Sequence, residues 1–207
     1  MADYIVRDQN IWTAIDLEMN QPSGKIIQIG AVKFHLLTGE VFARFDRYVK
    51  IDELLCTDSS ICDIPALTGI TDAKLANEGM SLLDAYTELA AFHRAPVQFD
   101  GVMTQGMINP IVWGGDDSRC LREQIEAAGY LYGADGWYCF GHRIFDMKSF
   151  HQWFMMAEGK TYAGGLSKSI HKWNVQFKFR AHNALNDAYN TAMLACAIYK
   201  KIRGITE

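Results

Sequence analysis

The sequence predicts an α/β protein in which helices flank a mixed sheet, and three observations carry that prediction. Residues 11–49 alternate apolar and polar positions in three successive runs, the period of β-strands. After residue 51 the pattern switches to helical spacing interrupted by short apolar runs, the signature of βα units. The composition, 49% apolar and 21% charged in 207 residues, supplies enough apolar material for one full-sized core. A single domain over residues 1–207 is therefore expected.

The elements follow in order. Residues 11–19, IWTAIDLEM, read as a buried strand that ends by presenting Asp16 and Glu18. Residues 20–24 make a polar turn, and residues 25–35 alternate with Ile27, Ile29 and Ala31 on one face. Residues 36–40 reverse the chain and 41–49 alternate again, so a three-stranded antiparallel meander is predicted. Residues 56–70 are irregular, broken by Pro65 and Gly69. Thr71 or Asp72 caps a short helix reaching residue 76. Ser81 caps a second over 82–93, with Leu82, Leu83, Tyr86, Leu89 and Ala90 at helical spacing. Residues 95–109 show no period and are expected to form an extended excursion. Residues 110–113 form a short buried strand closed by Gly114 and Gly115. Asp116, Asp117 and Ser118 then open a helix that Gly129 stops. A further strand is expected at 137–140, and helices at 146–156, 166–173 and 183–203.

No apolar run approaches the ~20 residues that span a bilayer, and the N-terminal segment has no signal-peptide pattern. The five cysteines form no C-x-x-C pair, which predicts reduced thiols and a cytoplasmic protein. The net charge of −4 is unevenly spread. Residues 1–159 carry 12 basic and 22 acidic side chains, whereas residues 160–207 carry 8 and 2. That asymmetry fits a basic, phosphate-facing region beside an acidic cleft, and equally a solvated basic surface.

Side chains at i and i+2 of a strand share a face, so Asp16 and Glu18 point the same way, ~6.5–7 Å apart along the chain. Buried together, two carboxylates repel unless a cation lies between them, and hard oxygen donors suit Mg²⁺ or Mn²⁺. Taken alone, D-x-E also describes solvated acids at a strand end. At the other end of the chain, Arg180-Ala181-His182-Asn183-Ala184-Leu185-Asn186-Asp187 opens the last helix. Apolar residues at 185, 188, 192, 195 and 199 pack that helix into the structure, so Asp187 needs a partner.

A-I-D-L-E, an acid after the fourth strand, and H-x-x-x-x-D together resemble the DEDDh 3′→5′ exonucleases of the RNase H-like superfamily. Ala66-Leu67-Thr68-Gly69-Ile70-Thr71 resembles the L-T-G-I-T segment that follows the third strand there. Trp113-Gly114-Gly115-Asp116-Asp117, with Leu121 and Gln124, resembles the second motif of the Eri/KapD-like exoribonuclease branch. The resemblance spans roughly residues 11–203. It departs at residues 95–109, which are longer than the branch implies, and at Asp116, where some members carry an aromatic.

The resemblance implies a DnaQ-like three-layer fold with a central mixed five-stranded sheet. It implies that Asp16, Glu18, Asp117 and Asp187 hold two Mg²⁺ or Mn²⁺ ions, with His182 as general base. The implied activity is 3′→5′ release of 5′-mononucleotides from single-stranded nucleic acid, RNA favoured over DNA. Met19 and Leu67 are the expected wedge for the terminal base. Lys178 and Arg180, with Lys168 and Lys172, are the expected phosphate contacts. Expected partners are single-stranded RNA or DNA 3′ ends and no membrane, with a homodimer left open. Three alternatives remain: a two-metal phosphoesterase acting on small substrates, a non-catalytic or regulatory nucleic-acid-binding module on the same fold, and a proofreading-type DNA exonuclease. The last would take its third carboxylate from Asp146, in Gly141-His142-Arg143-Ile144-Phe145-Asp146.

Overall fold

A computed structural model describes residues 5–114, 116–132, 138–161, 164–176 and 180–205. The chain opens with a short strand β1 (Val6–Arg7) and then lays down β2 (Ile11–Met19), β3 (Ile26–His35) and β4 (Val41–Tyr48) as an antiparallel meander. Three helices follow, α1 (Ile64–Thr68), α2 (Asp72–Glu78) and α3 (Leu82–Arg94). The hairpin β5 (Val97–Phe99) and β6 (Val102–Gln105) precedes β7 (Ile111–Val112) and α4 (Asp117–Ala127). The chain ends with β8 (Phe145–Asp146), α5 (Met147–Ala157), α6 (Leu166–Lys172) and α7 (Ala184–Ile202).

The main sheet has the order β4-β3-β2-β7-β8, antiparallel through the meander and parallel where β7 joins β2 and β8 joins β7. Every residue of β3 is buried, because helices cover both faces. On one face Ile15, Leu17, Ile29 and Ala31 pack against Ala85, Tyr86 and Leu89 of α3 and Leu121 and Ile125 of α4. On the other, Ala14, Val32 and Ile111 meet Met147 of α5, Ile170 of α6 and Ala188, Ala192, Ala195 and Ile198 of α7. The result is the expected three-layer α/β arrangement around a five-stranded mixed sheet. Among the described residues, no helix is long and apolar enough to cross a membrane.

Three segments differ from the sequence expectation. Residues 64–68, expected to be irregular, form α1. Asp63 caps it by accepting from the Ala66 N–H, and Pro65 lies in the first turn, where its missing N–H costs nothing. The 95–109 excursion contains a hairpin whose turn is Asp100 (φ 52°) and Gly101 (φ 80°), and β6 pairs in parallel with β1 to make a separate three-stranded sheet. The fifth strand of the main sheet is β8, whereas Tyr138–Phe140 form no strand; Trp137 lies outside the described residues. Those aromatics serve the core instead: Tyr138 OH donates to the Ser118 carbonyl, and the Cys139 N–H donates to Tyr86 OH.

Candidate active site

The site is built at the C-terminal end of β2. Asp16 lies opposite Gly30 of β3 and Glu18 opposite Gln28, so all four share the sheet face that α7 covers. Gly30 is bare for a reason. A Cβ there would lie 2.1 Å from the Ala184 carbonyl carbon and the Leu185 nitrogen, so the first turn of α7 rests directly on the strand. Gln28, fully buried, fixes that contact: its Oε1 accepts from the Ala184 N–H (3.1 Å) and its Nε2 donates to Asp46 (2.7 Å). One of the orphan amides that every helix start carries is thereby satisfied.

The docked helix brings Asp187 beside the strand carboxylates. Asn183 caps α7 by accepting from the Asn186 N–H (3.2 Å), and Asp187 Oδ2 accepts from the His182 N–H (2.9 Å). His182 adopts φ 58°, a left-handed conformation that costs about 1–2 kcal/mol and that these bonds offset. Glu18, His182 and Asp187 each place one ligand atom within 4.8 Å of the others. Asp117 enters from the far side of β2, as the first residue of α4 just after β7.

Electrostatics tie the four acids together. Burial pushes Asp16 well above the ordinary carboxylate range, and the charges of Asp117, Asp187 and Glu18 push it further. Glu18 is raised to about 8 by burial and then by Asp187 and Asp117. Asp117 is raised to about 7 by burial, then by Asp116 and Asp146. Asp187 is raised by burial, against which the His182 N–H works. Four half-buried acids that resist ionisation are a stored demand for positive charge.

A sequence model of the 3'-5' exoribonuclease Rv2179c-like domain matches residues 12–199, nearly the whole described chain. The chain belongs to this exoribonuclease family. ERI1 exoribonuclease 2 of Homo sapiens is 26% identical over 198 residues, which cover 87% of this chain. The match takes in 26% of the human protein, so the chain spans about a quarter of that relative's length. Among solved structures, the nuclease domain of 3'hExo, a DEDDh family member bound to rAMP, has a TM-score of 0.69 at 18% identity and 93% coverage of both chains. The Mg²⁺- and Mn²⁺-bound form of S. pombe Pop2p gives 0.63 at 16% identity, over 94% of this chain and 84% of that one. These likenesses establish the RNase H-like fold.

Within this Rv2179c-like exoribonuclease domain the remaining expected residues fall in several places. Met19 is half-buried against the α3/α4-side core, and Leu67 is 38% exposed at the end of α1. Arg180 donates through Nη2 to the carbonyls of Ala66 (2.8 Å) and Leu67 (3.2 Å). Lys172 donates to the Thr161 carbonyl, and Lys168 is exposed beside Gly164. Lys178 lies outside the described residues. Asp116 pairs with Arg119 at 3.2 Å. Asp146 accepts from the Gly114 N–H (3.1 Å), the Lys148 N–H (3.0 Å) and Ser149 Oγ, which fixes it as the cap of α5. Sequence reasoning missed Gln28 and Gly30. Their signal was present: a glutamine and a glycine interrupt the apolar run from Ile26 to Val32, where glycine marks a close backbone approach.

The carboxylate cluster sets a pH dependence. Its folded values lie above the unfolded ones, so its contribution to stability is complete below the ordinary carboxylate range and is lost as pH rises through about 7 to 8. Burial lowers His93, to about 4, and His151, and these oppose the trend only below the ordinary histidine value. Lys33, lowered to about 8, opposes it only above that. Both oppositions lie outside the interval from about pH 6.5 to 8. Melting curves in chelator should therefore fall across this interval, and Asp16→Asn should flatten the fall. A curve that rises between the two pH values would contradict the electrostatics.

Proposed function

We propose that this chain removes 5′-mononucleotides from the 3′ ends of single-stranded nucleic acid, RNA ahead of DNA, with two divalent cations and His182 as general base. The observation that supports this reading is that Glu18, His182 and Asp187 come within 4.8 Å of one another, with the charges of Asp16 and Asp117 bearing on the same carboxylates. The donor set fits Mg²⁺ or Mn²⁺: it is all oxygen apart from one imidazole, and its carboxylates are raised by burial and mutual repulsion. Asp16, Glu18, Asp117 and Asp187 would hold the ions. When bound, the pair supplies the charge that acidifies an attacking water and steadies the leaving 3′-oxygen.

The chain's own residues do the rest. His182 accepts the proton of the attacking water and, held by Asp187 through its main chain, keeps its ring beside the carboxylates. Leu67, exposed at the end of α1, and Met19 seat the terminal base. The five cysteines are all free thiols, which supports a reducing, cytoplasmic setting. A proofreading-type site built on Asp146 is disfavoured, because that carboxylate is spent on capping α5.

End-labelled single-stranded RNA and DNA, digested with Mn²⁺ and compared with a chromogenic phosphodiester, test the reading. Stepwise shortening from the 3′ end to 5′-mononucleotides is expected, faster on RNA. Cleavage of the small ester alone would make the protein a different phosphoesterase. His182→Ala should lower turnover about 10²–10⁴-fold, the usual contribution of a general base, with little change in RNA affinity. Equal losses of rate and affinity would make His182 a contact only. Manganese at a hundred times its dissociation constant should stabilise the protein by about 2.7 kcal/mol, raising the melting temperature by roughly 5–10 °C. A melting curve indifferent to the ion would remove the metal site.

A further inference from the structure

The segment that carries Leu67 and the segment that carries His182 are far apart in sequence but tied together by one side chain. We propose that Arg180 is a positioning residue that holds the terminal-base seat and the general base in one frame, rather than a contact to the nucleic-acid backbone. This rests on the roles of Leu67 and His182 proposed above.

Arg180 Nη2 donates to the carbonyls of Ala66 and Leu67, at 2.8 and 3.2 Å. These are among the last carbonyls of α1, which have no partner within the helix, and a cation beside them also meets the negative end of its dipole. Gly69 closes α1 with φ 78°, and a Cβ there would come within 2.9 Å of Arg180 Nη1. The turn after α1 is thus shaped around the guanidinium. The main chain of Arg180 is held from the opposite side: its carbonyl accepts from Asn186 Nδ2 (3.0 Å). Two residues on, the His182 N–H donates to Asp187. The strut therefore runs from the Leu67 carbonyl through the Arg180 side chain and main chain to the left-handed turn that aims His182. Nη2 makes both bonds while Nη1 lies against Gly69, so the planar guanidinium fills the turn as the single nitrogen of an ammonium would not.

If the seat and the base share one frame, a base lost from the substrate and a guanidinium lost from the protein damage the same thing. Arg180→Ala and Arg180→Lys should be compared with the wild type in single-turnover digestion of 5′-labelled single-stranded RNA in Mn²⁺. Protein concentration and potassium chloride are varied, and a parallel substrate has an abasic 3′-terminal nucleotide. For Arg180→Ala the maximal rate should fall on the order of 10–100-fold, the scale of a misplacement of about 1 Å. The half-saturating concentration and its salt slope should hold, and Arg180→Lys should recover part of the rate. The abasic penalty seen in the wild type should shrink in Arg180→Ala. A phosphate contact gives the opposite pattern: the maximal rate is kept, affinity falls, and the salt slope drops by about 0.7. That pattern, or an abasic penalty equal in both proteins, would overturn the proposal. A wild type inert on both RNA and DNA would instead overturn the nuclease reading on which the proposal rests.

Discussion

Asp117→Ala should abolish turnover of single-stranded RNA while the protein stays folded, and Asp146→Ala should leave turnover within a few-fold of wild type. This is the expected outcome for the two acids that compete for the third ligand position. Asp117 raises the proton affinity of both Asp16 and Glu18, so its charge reaches the cluster, whereas among the four acids Asp146 bears only on Asp117. Loss of Asp117 should cost more than the 10–100-fold that follows removal of a mere outer partner of a metal ligand. It should also raise the metal-free melting temperature near pH 8, because one repelling charge is gone. Asp146→Ala removes a helix cap and its bond to the Gly114 N–H, about 0.5–2 kcal/mol of stability. Paired melting curves and RNA digestion read both effects. Activity surviving in Asp117→Ala and vanishing in Asp146→Ala would move the third ligand to β8.

Gly30→Ala should damage the enzyme without touching a charged residue. The added methyl would overlap the backbone of Ala184 and Leu185, which no rotamer change can relieve. Either α7 lifts from the sheet or β3 bends, and overpacking of this kind costs about 1–3 kcal/mol or more. The melting temperature should fall by at least ~2–4 °C. Because Asp187 and His182 travel with the helix, activity should fall on the order of 10²-fold even where the protein remains folded. Gln28→Ala should act in the same direction, since it leaves the buried Ala184 N–H without its acceptor. A Gly30→Ala protein with wild-type rate would mean that α7 does not set the catalytic geometry.

The meander and the long helices were legible because period and burial agree over many residues. β2, β3, β4, α3 and α7 lie within a residue or two of their expected bounds. Shorter elements were legible only through local chemistry that pointed two ways. Pro65 and Gly69 look like breakers, yet they mark the first turn and the end of α1. Asp100-Gly101 is a strong hairpin signal hidden in a stretch without alternation. At the site, the residue types of Asp16, Glu18, Asp117, His182 and Asp187 could be read directly as chemistry. The positioning residues could not. Gln28 meets its partner 156 residues away, and Arg180 reaches Ala66 across 114, so even where the local pattern flags a position, as at Gln28, it does not name the partner.

The docking of α7 also has a consequence for how the enzyme comes into being on the ribosome. Asp16 and Glu18 are made early, but Asp187 and His182 follow only after more than 160 further residues. At about 5–20 residues per second, the strand carboxylates wait roughly 10–30 s for their counterparts. Closing that long loop is the slow kind of contact. Through that interval the growing chain carries only half of the proposed metal site, two carboxylates without the groups that complete it.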